Sequence, residues 1–180
     1  MATPPGNKLH VYDARAIFDT AEVFHTSAER LFRAFVQESI QIIPASLTCY
    51  AFSLELYLKS LITIEKGGFP SKGAHDLQAF FTDLSQDAQD KIRSIATQFG
   101  TKRAIQFQEG AKKMGAPTPP DFDYDTALTA SKRGFVNWRY VYENNFKPDE
   151  GWQGGEIIFA VRAVILEHHP DWGSAWQYPP

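Results

Sequence analysis

The chain has 180 residues, enough for one domain with a substantial core, and its 43% hydrophobic and 22% charged content excludes a disordered polyelectrolyte. A single cysteine, Cys49, excludes an internal disulfide framework and fits a reducing compartment. The formal net charge of −3 argues against a non-specific nucleic-acid binder, but the charge is unevenly shared: residues 91–139 hold nine Lys/Arg against four Asp/Glu, and the remainder nine against seventeen.

The N-terminal residues form no apolar signal-peptide stretch. The apolar run 157–166 is short and broken by Arg162, so it does not span a bilayer. A cytoplasmic chain without membrane association is expected. The expected organisation is one helical domain over residues 1–180, with a flexible N-terminus at 1–10 and a C-terminal tail at 170–180.

A first helix is predicted over residues 13–42, where Ile17, Ala21, Phe24, Ala28, Leu31 and Phe35 recur at spacings of three and four. Pro44 interrupts, Ser46 reads as an N-cap, and a second helix over 46–66 carries Leu47, Ala51, Leu54, Leu58 and Leu61, widened by Tyr50, Tyr57 and Ile64. So short a connection makes an antiparallel helix hairpin the natural packing. Gly67-Gly68-Phe69-Pro70 ends the second helix. Asp76 is placed to cap a helix over 77–84, and Ser85 to cap another over 86–99 with Asp87 in its first turn. Gly100 is read as a break before a short helix over 101–113. The three prolines of 115–120 make a loop, followed by helices over 126–144 and 155–169 that Pro170 closes. No alternating strand pattern is visible, so the predicted fold is all-α, an up-and-down helical bundle built on the hairpin.

Few residues promise chemistry. Asp121, Asp123 and Asp125 have the spacing of a calcium loop, but the loop glycine is missing and Lys132 stands where a bidentate Glu belongs. Glu167, His168, His169 and Asp171 can ligate metals, yet histidines at a helix C-terminus are explained by the helix dipole. Cys49 reads as a small core residue, and the Trp152, Trp172, Trp176 and Tyr178 group as a tail wrapping onto the bundle. No cofactor and no metal are expected. Glu55 and Lys59, an i,i+4 pair with the acid N-terminal, read as an ion pair at the surface or bundle edge worth ~0.3 kcal/mol.

In context that pair says more. The run from Ala51 to Leu61 containing Glu55-x-x-x-Lys59, a Gly/Pro loop, and then Gly73-Ala74-His75-Asp76-Leu77 resemble the HEPN superfamily, and Trp138-Arg139-Tyr140 resembles the Arg-Tyr segment of its later helices. The resemblance covers residues 48–84 well and the rest only through helix order. It implies a small helical bundle, commonly dimeric, of the kind found in prokaryotic toxin–antitoxin and defence systems, many members being metal-independent endoribonucleases with an Arg-x(4–6)-His motif. Such chemistry needs an arginine for the scissile phosphate and a histidine as general acid/base. Arg162 with His169 or His168 is the candidate catalytic set. At 100° per residue His169 returns to within about 20° of Arg162, while His168 falls on the stripe of Ile158, Val161 and Ile165, as a core or interface residue. Ala163 departs from the polar residue that usually follows the arginine in catalytic members.

Lys132, Arg133 and Arg139 are the candidate nucleic-acid contacts, Arg139 being equally able to pair with Glu143. Glu55, Lys59, His75 and Asp76 are the family-motif residues, with Asp76 also a helix cap and His75 also a packing residue. Two functions follow: a dimeric HEPN-like domain binding RNA or a nucleotide, with endoribonuclease activity at Arg162 and His169, or a non-catalytic module bound by a cognate antitoxin or another protein.

Overall fold

The computed structural model describes residues 9–10, 12–37, 42–70, 75–132 and 154–174. Helix α1 spans Ala14–Gln37 and α2 spans Ile43–Lys66. Between them Ala14, Ala21 and Ala28 on α1 stand against Ser60, Ser53 and Ser46 on α2, two sets of small residues each repeating every seven positions. Without bulky side chains on this seam the backbones approach closely. The Ser60 hydroxyl donates to the Ala14 carbonyl and the Ser46 hydroxyl to that of Ala28, both at 2.9 Å. Early α1 therefore meets late α2. Ser46 is fully buried in this seam and does not cap; α2 begins three residues earlier, with Pro44 in its first turn, where a missing N–H costs nothing. On α1 the fully buried aromatic is Phe18, whose ring meets Tyr57 edge-on with centroids 5.6 Å apart.

Gly67 ends α2 in the left-handed conformation at φ 76° and donates to the Thr63 carbonyl. Two-residue strands β1 (Leu9–His10) and β2 (Phe69–Pro70) then pair antiparallel; the described structure is otherwise helical. Asp76 and Ser85 cap α3 (Leu77–Thr82) and α4 (Gln86–Met114), accepting from the Ala79 and Ala88 amides, as the sequence predicts. α5 covers Tyr124–Ser131 with Asp123 as its cap, and α6 covers Gly155–His168. The remainder of the helix predicted over 126–144 lies outside the described residues. A short 3-10 turn, Pro170–Ser174, lays Trp172 onto Phe18. By length and composition α2 resembles a membrane span, yet its middle is the centre of the core: Leu54, Tyr57, Leu58, Leu61 and Ile62 are all fully buried, packed with Ile92, Ile157, Ile158 and Ile165.

Gly100 does not break α4, which runs straight through it. The glycine is a notch: a Cβ there would lie 2.2 Å from the Phe122 ring, so the missing side chain is what lets the loop before α5 close over the helix. Alanine at Gly100 gains helix propensity but collides with a ring, and is expected to lower stability by about 1–2 kcal/mol. Alanine at Gly110, where nothing lies within 4 Å, should raise it by about 0.5–1 kcal/mol. Urea denaturation of both variants checks the difference in sign.

Candidate functional site

Two polar clusters interrupt the apolar interior. The first centres on Glu55, fully buried in mid-α2. One carboxylate oxygen receives Lys59 Nζ at 2.6 Å and the other pairs with His75 Nδ1 at 2.8 Å. The Lys59 ammonium also lies 5.2 Å over the Phe80 ring. Glu55–Lys59, expected at the surface or bundle edge, thus has its acid in the interior, where His75 meets it from outside the helix. His75 holds a positive φ of 90°, a conformation costing a non-glycine residue about 1–2 kcal/mol, which the bond to a buried carboxylate helps to offset. Next to it Asp76 caps α3 and meets Lys132 Nζ at 3.5 Å, while the Lys132 carbonyl accepts from the Leu77 amide. Lys132, a candidate phosphate contact, is engaged in tying α5 to α3.

The second cluster joins α1, α2 and α6. Arg162 grips Glu22 through two bonds, Nε to Oε1 at 2.5 Å and Nη2 to Oε2 at 3.1 Å. The buried Tyr57 hydroxyl donates to the same Glu22 oxygen. His25 Nδ1 lies 3.4 Å from that hydroxyl, and Glu29, 4.0 Å from His25 Nε2, receives the Tyr50 hydroxyl at 2.5 Å. Because Tyr57 points its proton at Glu22, its oxygen is left to accept, which favours a proton on His25 Nδ1.

Electrostatics match this geometry. Burial, then the charge of Glu22, pushes the Tyr57 phenol far above its ordinary range, so it remains a donor. Burial alone would lower the Arg162 pKa, but its bonds to Glu22 outweigh that and raise it. Burial lowers the His25 pKa; Glu22 and Glu29 oppose this and Arg162 reinforces it. The folded protein thus favours neutral His25. The stability this contributes is complete above the ordinary value of 6.5 and is lost as pH falls through the lower folded value. Acid should therefore weaken the fold by up to about 1.4 kcal/mol per pH unit through this group. A His25→Gln protein should show a flatter melting temperature between about pH 7.5 and 5 than wild type.

The proposed catalytic pair does not assemble. His169 precedes Pro170, which disfavours the helical conformation, and it leaves α6 at φ −136°, ψ 69°. Its ring stacks on Trp172 with centroids 4.1 Å apart and planes 10° apart, and Trp172 in turn lies beneath the Arg15 guanidinium. The angular match to Arg162 assumed a helix that continues through 169, and it does not. His168 ends α6 exposed to solvent, not in the core or an interface within the chain. Among the described residues no hydrogen bond or ion pair joins Arg162 to either histidine. Arg133 and Arg139 lie outside the described residues.

The remaining sequence candidates are occupied elsewhere. Glu167 faces Lys91 and Asp171 faces Arg15, each at 3.6 Å, so the carboxylates of that run diverge. Asp121 accepts from Gln108, Asp123 caps α5 and Asp125 pairs with Arg93. Cys49 is half-buried, and burial pushes its thiol pKa up, away from reactivity. No group of three or more metal-capable side chains converges among the described residues.

Glu22, His25 and Glu29 were not picked out from the sequence. The signal was present: they repeat at three and four on the stripe that buries Phe18, Ala21 and Ala28, and ionisable groups on a core stripe need partners. Comparison with protein-family models, with characterised proteins and with solved structures finds no match to this chain.

Proposed function

We propose that the chain is a HEPN-like helical-bundle domain that binds RNA without cleaving it. The observation that carries the reading is Glu55, a fully buried acid joined to both Lys59 and His75, so residues of the resembled motif that stand 20 positions apart meet as one unit. The lengthwise α1–α2 pairing supports the bundle. The absence of cleavage follows from charge. A phosphate-holding arginine must offer its guanidinium, whereas that of Arg162 is neutralised by a bidentate carboxylate, and its proposed acid/base partner is stacked on tryptophan. The resemblance also implies a homodimer, which equilibrium sedimentation tests.

The test is to incubate the full chain with end-labelled single-stranded RNA and read retention and cleavage together. The expected result is salt-sensitive retention, with no cleavage beyond a background shared by wild type, Arg162→Ala and His169→Ala. Cleavage lost in Arg162→Ala would overturn the non-catalytic reading, and absence of retention at low salt would overturn RNA binding in favour of a protein partner.

A further inference from the structure

The last turns of helix α4 run beyond the point where α6 begins. Its first half packs against α6 in opposite sense, Lys91 facing Glu167, Phe99 facing Phe159 with centroids 4.1 Å apart, and Arg103 facing Glu156 at 3.0 Å. Since α6 begins at Gly155, the eleven residues of α4 after Arg103, ~16 Å of helix, extend past its end. The stripe that buries Ala88, Ile92 and Ala96 continues at spacings of three and four through Phe99, Arg103 and Phe107, and Met114 follows two turns later. Its large side chains grow more exposed along the helix, Phe99 at 41%, Phe107 at 57% and Met114 at 78%, while Ala111 among them stays buried at 7%.

Charge distinguishes this face from an ordinary uncovered apolar stripe. Lys102 and Lys113 flank it within about a 140° arc at 100° per residue. Among the described residues, neither they nor neighbouring Lys112 has a carboxylate within ion-pair distance, whereas Lys59, Lys66, Lys91 and Lys132 each do. The Arg103 guanidinium lies 5.3 Å over the Phe107 ring, a cation and an aromatic presented together.

We propose that this face of α4, bearing Phe99, Lys102, Arg103, Phe107, Lys113 and Met114, is a docking surface for single-stranded RNA. It rests on the RNA-binding reading and gives that reading a location. Unneutralised lysines call for a polyanion, and exposed rings among them offer stacking to unpaired bases. A convex helix edge offers no pocket for the anchor side chains that a folded protein partner inserts.

The test is anisotropy of labelled oligouridylate, with a matched RNA duplex alongside, titrated with the full chain. The variants are Lys102→Glu/Lys113→Glu and Phe107→Ala, with thermal melts confirming that these exposed positions leave the fold intact. The double reversal should weaken binding more than tenfold, and the slope of log affinity against log salt should fall by about 1.4, roughly 0.7 for each lysine. Phe107→Ala should weaken the single strand at least about fivefold and the duplex not at all. Binding that is unaltered by both variants overturns this surface while leaving RNA binding standing. A Phe107→Ala protein that binds both nucleic acids as wild type does reduces the face to plain charge attraction and overturns the stacking claim. A wild type that binds neither overturns the surface and the RNA-binding reading together.

Discussion

Replacing Glu55 with alanine is expected to destabilise the protein by about 3–5 kcal/mol, the cost of breaking a buried ion pair by removing one of its members. Few point substitutions cost so much, and the size follows from position. Glu55 is fully buried, and its removal takes from the Lys59 ammonium, whose side chain is 14% exposed, the carboxylate that lies 2.6 Å away. It also removes the 2.8 Å contact between that carboxylate and His75, whose backbone holds a positive φ. The check is a double-mutant cycle by chemical denaturation. Glu55→Met alone should be strongly destabilised, and Glu55→Met with Lys59→Met should recover much of the loss, because the largely desolvated cation leaves with its acid. Equal stability of the single and double variants would refute the buried-pair account.

Glu22→Ala is the second large effect, expected at about 3 kcal/mol. Glu22 serves two donors at once, the Arg162 guanidinium, with 28% of its side chain exposed, and the Tyr57 hydroxyl, which is fully buried. Losing it leaves in one step a half-desolvated cation and a hydroxyl proton without the acceptor it had. Tyr57→Phe removes only the donor and should cost about 1 kcal/mol. The histidine gives an independent readout: Glu22 raises the His25 pKa and Arg162 lowers it, so removing Glu22 should drive that pKa further down. An NMR titration of the His25 ring measures the shift. A rise, or no movement, would contradict the arrangement.

Local rules carry far in this chain. The caps at Asp76 and Ser85, the glycine stop at 67 and the apolar repeats of α2 depend on residues within one or two turns, and each takes the predicted structure. The departures have different origins. Gly100 carries the same weak helix propensity whether it ends a helix or receives a ring, and only Phe122, 22 residues on, decides between them. Pro170 ends the last helix as the sequence predicts, but one residue earlier, because a proline also disfavours helical geometry at the residue before it, His169.

The candidate site was less legible. Glu55, Lys59 and His75 could be singled out by spacing and resemblance, but the burial of Glu55 could not, since an i,i+4 acid–base pair has the same sequence on a surface and in a core. Arg162 stood out as a charge within an apolar run, and Glu22, 140 positions away, gives no local sign that it is the partner.

Thus the sequence by itself determined an all-helical chain, the ends of several helices and the motif residues, because hydrogen bonding within a helix and the periodicity of its apolar face are short-range. Tertiary structure alone decided which charges are buried, which arginine is already neutralised and where α4 escapes its neighbours. Desolvation and ion pairing depend on what other helices bring near, and no residue's own neighbourhood in the chain records that.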